Sequence, residues 1–231
     1  MNEQYVMMTP IEPVPEKIQH LRKWRRGIER QIPLPEKVGV VTSKEVFDKH
    51  LRDNPLYTFV AEHPSMNKER IDRIGEARED LRQWFSEQCT EEYGLLLDSD
   101  IELLDPDAYL KMAEQLSSKT CLLLCNGIEL DSPRNGRQYT YFLACALIDR
   151  RIIDASRFCV LRIRDFPCKG LTPYATEDNV FISILEQMGD HIMQAFNHEY
   201  RCVRYGKTVT PVIHWGGTAW KRKYREDGSR I

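Results

Sequence analysis

No run in the 231-residue sequence approaches the roughly 20 consecutive apolar residues that a membrane-spanning helix needs. No secretory leader is expected, since the opening Met1-Asn2-Glu3-Gln4 is polar overall and no long apolar run follows. Charge is nearly balanced: the formal net charge is -2, which excludes the global basic field of a nucleic-acid-binding domain. The local exceptions are Arg22 to Arg30 and Lys221 to Arg225. The 7 cysteines are scattered and odd in number, so they form no disulfide framework, and Cys121/Cys125 lacks the second pair of a zinc site. The expectation is buried thiols in a reducing cytoplasm. Repeats, low-complexity segments and a clean linker are absent too.

What is present is an ordinary soluble composition, 42% hydrophobic and 29% charged. Short apolar runs alternate with amphipathic stretches. The pattern predicts strands over Tyr5 to Met8, Val38 to Val41, Tyr57 to Val60, Tyr93 to Leu97 and Thr120 to Leu124. Helices are predicted over Glu16 to Arg30, over Lys44 to Arg52 with Ser43 as cap, and over Asn67 to Gln88. Another opens at Asp105-Pro106, with Asp105 as cap and Pro106 in the first helical position. Strands alternating with helices imply an α/β fold with a mostly parallel sheet. The second half reads as less regular: a loop over Asp131 to Gly136, a strand from Phe158 to Ile163, a helix from Thr176 to Met188, and two strands within Tyr200 to Ile213. One domain is expected, with a nucleotide-binding half over about 1–125 and an acceptor half with a C-terminal lid over about 126–231.

The strongest local signal is Leu95-Leu96-Leu97-Asp98-Ser99-Asp100. A buried strand delivers two carboxylates one residue apart at its C-terminal end, and open α/β sheets bind ligands outside those ends. In extended backbone, residues i and i+2 point the same way, so Asp98 and Asp100 would address one divalent ion or one nucleotide. Asp100, lying beyond the strand, is expected to be accessible. The plainer explanation is that Asp98 ends the strand and Asp100 turns the chain.

Arg78 falls on an apolar stripe formed by Ile71, Ile74, Leu81 and Phe85. A guanidinium facing the core requires an anion, which is either a donor phosphate or Asp98, unless the side chain snorkels out at the stripe's edge. His214 precedes Trp215-Gly216-Gly217, where glycine permits close backbone approach and hinge motion. Trp215 and Trp220 with Lys221 and Arg222 would then form a lid over a diphosphate. The basic tail also reads as a solvated or membrane-surface-seeking end, which leaves peripheral membrane contact open. Glu177 and Asp178 stand in the first turn of a helix capped by Thr176, where the helix dipole alone would favour them.

Taken together, these stretches resemble the GT-A glycosyltransferases. The likeness rests on the opening strand ending in Thr9-Pro10, Glu76-Ala77-Arg78, Leu95 to Asp100, and Glu177-Asp178 followed by Val212 to Gly217. The resemblance implies a GT-A-like fold and transfer from a nucleotide-diphosphate sugar, a UDP- or GDP-sugar, to a hydroxyl of a glycan or other acceptor. It implies that Asp98 and Asp100 hold Mn²⁺ or Mg²⁺ and the diphosphate, that His214 joins the ion, and that Asp178 or Glu177 faces the acceptor. It groups Thr9, Pro10, Thr42, Arg78, Ser99, Trp215, Gly216 and Lys221 around the donor. Where relatives carry an Asp after the second strand, this chain has Thr42-Ser43, so the base stays open.

Three other classes fit less well. Haloacid-dehalogenase-like phosphatases place their acidic pair after the first strand and carry Thr or Val where Glu102 stands. A nucleotidyltransferase would show a Gly-rich phosphate loop after the first strand, and Met8 to Pro13 contains no glycine. A non-catalytic nucleotide- or sugar-binding module would keep the fold without a reactive carboxylate. The sequence leaves sugar, acceptor and oligomeric state open.

Overall fold

The computed structural model describes residues 4–114, 120–124, 129–132, 136–139, 145–155, 157–158, 161–162, 174–175, 192–195 and 212–214. In chain order the elements are β1 (Tyr5–Pro10), α1 (Pro15–Ile18), α2 (Leu21–Glu29), β2 (Lys37–Val41), α3 (Lys44–His50), β3 (Tyr57–Ala61), α4 (Arg70–Gln88), β4 (Tyr93–Leu97), β5 (Ile101–Leu103), α5 (Ala108–Ala113), β6 (Thr120–Leu124), β7 (Glu129–Ser132), β8 (Gly136–Tyr139), β9 (Cys145–Asp149), α6 (Arg150–Ala155), β10 (Leu161–Arg162), β11 (Tyr174–Ala175), β12 (Ile192–Ala195) and β13 (Val212–His214). Seven strands form one sheet in the order β12-β6-β9-β4-β1-β2-β3. Every neighbouring pair in it is parallel except those of β9, which runs antiparallel to both β4 and β6. The expected mostly parallel α/β sheet is the one found.

Both faces of the sheet are covered, and this is why β1, β2 and β4 read as nearly unbroken apolar runs. On one face Tyr5, Met7, Val38, Val40, Leu95 and Leu97 pack with Leu21, Trp24 and Ile28 of α2, Phe47 of α3 and Tyr109 of α5. On the other, Val6, Met8, Val41 and Leu96 meet Ala77, Leu81, Trp84 and Phe85 of α4 and Ile152 and Ile153 of α6. Cys89 and Cys145 are buried, as expected of the cysteines, and burial pushes the Cys89 thiol up to about 11. Among the described residues no helix is long and apolar enough to cross a membrane.

Helix α2 lies against β5 at the edge of the site. Gly27 makes the approach possible: a Cβ there would come within 2.6 Å of Leu103 N and 3.0 Å of Leu103 O, both backbone atoms. Ser43 caps α3 as expected, its Oγ accepting from Val46 N at 3.3 Å.

Several element boundaries differ from expectation for identifiable reasons. The single helix over Glu16 to Arg30 is two, because the Gln19 side-chain amide donates to Glu16 O at 3.0 Å. That carbonyl is the one a continuing helix would offer to His20 N, which turns to Lys17 O at 3.1 Å instead. The helix expected from Asn67 begins at Arg70, since Asn67 N and Lys68 N are held in a turn by Ser65. The helix expected at Asp105 begins at Ala108. Asp105 O and Pro106 O accept from Gln31 Nε2 and Ile32 N after α2, and Asp105 O also accepts from Ala108 N at 3.3 Å, a turn one residue tighter than that of an α-helix. The loop expected over Asp131 to Gly136 is shorter, because the β7–β8 ladder already pairs Ser132 with Gly136. Phe158 does not enter a strand, because its N–H donates to Glu79 Oε2 at 2.8 Å. The expected helix from Thr176 to Met188 and the expected strands over residues 200–211 lie outside the described residues.

Candidate functional site

Strand β4 ends at Leu97, and the chain turns at once: Ile101 N donates to Asp98 O at 3.0 Å. This turn replaces the extended backbone expected through Asp98-Ser99-Asp100, so the two carboxylates are not aligned as i and i+2 of a strand. Their cations come from helices on opposite faces of the sheet. Arg78 of α4 donates through Nη2 to Asp98 Oδ1 at 3.1 Å. Lys17 of α1 donates to Asp100 Oδ2.

Exposure separates the pair. The Asp98 side chain is 24% exposed and Asp100 0%. The expectation that Asp100 would be accessible is therefore corrected. Lys17 is itself buried and covers it, because a buried carboxylate needs a paired cation. Ser99 between them is buried as well. Of the two partners left open for Arg78, this structure contains Asp98, and the guanidinium does not snorkel out, its side chain being 3% exposed. Two residues further, buried Glu102 accepts from Arg26 Nη2 at 2.7 Å and from Arg30 Nη2 at 3.0 Å. Three acids at alternate positions are thus each held by cations from a different helix.

The turn continues into β5, which pairs antiparallel with β13 in the register Leu103↔Val212, Glu102↔Ile213 and Ile101↔His214. The backbone of His214 therefore lies directly opposite the residue that follows Asp100. Among the described residues no three His, Cys, Asp or Glu side chains gather as a ready metal-binding group. Asp98 and Asp100 in one turn offer carboxylate oxygens of the kind that a hard divalent cation takes, and Lys17 holds Oδ2 of Asp100.

The neighbouring strand ends carry three of the residues expected at the donor, Thr9, Pro10 and Thr42. In the β1–β2 ladder Thr9 pairs with Val40 and Pro10 with Val41, and Ile11 N then donates to Val41 O at 2.9 Å. Thr9 and Thr42 are both fully buried. Among the described residues neither hydroxyl has a hydrogen-bond partner. A buried hydroxyl without a partner costs free energy, and both of these lie at the carboxyl ends of parallel strands, where open α/β sheets bind ligands.

Just past Thr9-Pro10, Glu12 is buried and held by Arg73 of α4, with Arg70 Nε at 3.5 Å from Oε2. Burial alone would raise the Glu12 carboxyl, but the Arg73 hydrogen bond and the charges of Arg70, Arg73 and His63 outweigh it and hold Glu12 below the usual carboxylate value. Beside it, burial pushes His63 below its ordinary value, against the hydrogen bond to Pro64 and the charge of Glu12.

Lys17, Glu12 and Arg73 were not singled out from the sequence. A signal for Lys17 does exist: Lys17, Leu21, Trp24 and Ile28 fall at four-, three- and four-residue steps, so the lysine lies on an apolar stripe as Arg78 does. Glu177, Asp178, Trp215, Gly216, Trp220, Lys221 and Arg222 lie outside the described residues.

No protein-family model matches this sequence, and no curated protein shows a similar one. Solved structures do share its architecture. A mannosyltransferase from Pyrobaculum calidifontis, in complex with GDP-Man and Mn²⁺, superimposes with a TM-score of 0.57 at 11% identity, over 94% of this chain and 58% of that one. Mouse xyloside xylosyltransferase 1 in its apo form gives 0.55 at 8% identity, over 94% of this chain and 98% of that one. A glycosyltransferase involved in glycosylation of the major capsid of PBCV-1 gives 0.52 at 13% identity, over 92% and 93%. At these identities the likeness is one of fold, and the fold is the GT-A-like α/β architecture that the resemblance implied.

Proposed function

We propose that the chain is a glycosyltransferase that moves a sugar from a nucleoside-diphosphate donor to an acceptor hydroxyl. The observation that carries this reading is the β5–β13 ladder, which sets the backbone of His214 opposite Ile101, beside the Asp98–Asp100 turn. It supports a site where Asp98, Asp100 and His214 would hold a divalent cation, Mn²⁺ or Mg²⁺, whose chemistry when bound is to offset charge developing on the leaving diphosphate. The partnerless hydroxyls of Thr9 and Thr42 support a nucleoside at the adjacent strand ends. Arg78, already delivered to Asp98 by α4, is within the turn's reach to bind a phosphate oxygen as a charge-assisted donor.

The acceptor side is assigned to Asp178, with Glu177 as its alternate. As a general base, Asp178 takes the proton of the acceptor hydroxyl, and the anomeric centre then inverts. Trp215, Gly216 and Lys221 are assigned to a segment closing over the donor.

The test is incubation of the protein with UDP- and GDP-sugars, with and without Mn²⁺ or Mg²⁺, followed by analysis of the released nucleotide. Release of nucleoside diphosphate, lost in Asp98→Asn, is the expected result. Release of pyrophosphate would instead identify nucleotidyl transfer, and no turnover with any donor would leave a binding module. An Asp178→Asn variant that transfers at the normal rate removes that residue from catalysis, and a retained anomer removes the general-base step.

A further inference from the structure

We infer that Lys17 couples the divalent cation to the donor diphosphate, so that the acidic turn accepts the ion only when a nucleoside diphosphate is present. The inference rests on the reading of Asp98, Asp100 and His214 as cation-holding residues.

It starts from the one carboxylate of the turn that solvent does not reach. Asp100 is 0% exposed, and Lys17, its side chain 10% exposed, occupies Oδ2. A cation that takes that oxygen from the direction Lys17 holds must displace the ammonium, and one that takes Asp100 in any other way must bind beside it. The lysine has little freedom to leave. Its stem is fixed in α1, which begins at Pro15, with Lys17 N donating to Val14 O at 2.9 Å. Lys17 is itself buried, in the short helix that precedes α2. An ammonium displaced from Asp100 would remain buried, without an anion, beside a doubly charged ion. Both conditions are costly, the first by desolvation and the second by like-charge repulsion.

A diphosphate removes that cost, because it brings its own negative oxygens to the same turn. Lys17 can then pass from the carboxylate to a phosphate oxygen while Asp100 is released. The exchange conserves ion pairs: one ammonium–carboxylate contact is replaced by one ammonium–phosphate contact. Lys17 thereby penalises the cation alone and not the cation with the nucleotide, which is a coupling free energy between two ligands. In the resting protein it also supplies the cation paired with the buried Asp100. Arg78 does not serve the same purpose at Asp98, because that carboxylate is already partly open to solvent.

The experiment is a Mn²⁺ titration of the full chain by calorimetry, without nucleotide and then with saturating GDP or UDP, on the wild type, Lys17→Met and Asp98→Asn. Methionine keeps the length and apolar stem of the lysine and removes the charge. In the wild type, Mn²⁺ alone should bind at least about 10-fold more weakly than with the nucleotide, within the range usual for coupled sites. In Lys17→Met, Mn²⁺ alone should bind about 10-fold more tightly than in the wild type, and the gain from nucleotide should shrink by the same factor. Wild-type protein that binds Mn²⁺ equally well with and without nucleotide overturns the inference, whether or not the variant folds. If the wild type needs nucleotide, Asp98→Asn abolishes binding and Lys17→Met shows no gain, the role of Lys17 is refuted while the cation site stands. If Asp98→Asn binds as the wild type does, or neither binds Mn²⁺, the site reading fails and the coupling with it.

Discussion

Arg78 reaches from the middle of α4 to the end of β4 and donates through Nη2 to Oδ1 of Asp98 at 3.1 Å. The guanidinium is buried and the carboxylate partly exposed, so the bond ties the helix covering one face of the sheet to the turn at its edge. The corresponding bond on the other face, from Lys17 to Asp100, is buried at both ends.

That difference sets an order of stability among variants. Asp100→Asn strands a buried ammonium and should cost about 3–5 kcal/mol. Asp98→Asn weakens a bond whose acceptor already touches water and should cost about 1–3 kcal/mol. Urea denaturation of both proteins measures the order, and equal losses would show that burial does not distinguish the two.

Thr9→Val and Thr42→Val should separate stability from binding. Each replaces a buried hydroxyl that has no partner among the described residues with a methyl of similar shape. The free protein should gain about 1 kcal/mol per site. Nucleotide affinity should fall in the same variants if these hydroxyls serve the donor. Thermal melting with and without UDP or GDP reads both effects, and unchanged affinity would detach the threonines from the site.

Gly27→Ala should destabilise although alanine is the better helix former. Its Cβ would lie 2.6 Å from Leu103 N, so α2 must lift from β5, at a cost of about 1–3 kcal/mol typical of overpacking. The lift also draws Arg26 and Arg30 away from Glu102. A Tm equal to the wild type would mean that the helix is loosely seated.

Glu12 predicts a pH dependence. Its carboxyl is held below the usual value in the folded protein, so the unfolded chain takes up the proton first as pH falls. The stabilisation is complete above the unfolded pKa, about 4.3, and is lost as pH drops through the lower folded value. Wild-type stability should therefore fall more steeply below about pH 5 than that of Glu12→Gln. Parallel curves from denaturant melts over a pH series would contradict the assignment.

Much of the scaffold was legible because local rules and the fold agree. Leu95 to Leu97 reads as a buried strand since helices cover both its faces, and Ser43 reads as a cap since only its own next turn decides it. Arg78 was legible for a subtler reason: a cation on an apolar stripe demands an anion, and Asp98 is the next acid at a strand end. The same rule applies to Lys17, but the break at Gln19 and His20 interrupts its stripe, and Asp100 lies 83 residues away. No local pattern says which helix crosses which turn, so the burial of Asp100 was invisible. The nearness of the His214 backbone to Ile101 was legible only as family order, because strand pairing over that separation leaves no periodic trace.

Strand β9 has a consequence for synthesis. Among the described residues it is the only link between β6 with β12 and the rest of the sheet, and it enters antiparallel between β4 and β6. Strands β1 to β4 all lie in the first hundred residues and can pair as the chain emerges from the ribosome. Thr120 to Leu124 cannot, because its partners are residues 145–149 and 192–195, which are translated later. The segment Thr-Cys-Leu-Leu-Leu therefore waits as an unpaired apolar strand, a window in which a nascent chain is most open to chaperones or to a neighbouring copy of itself. The order in which this sheet can be assembled is not the order in which its strands are made.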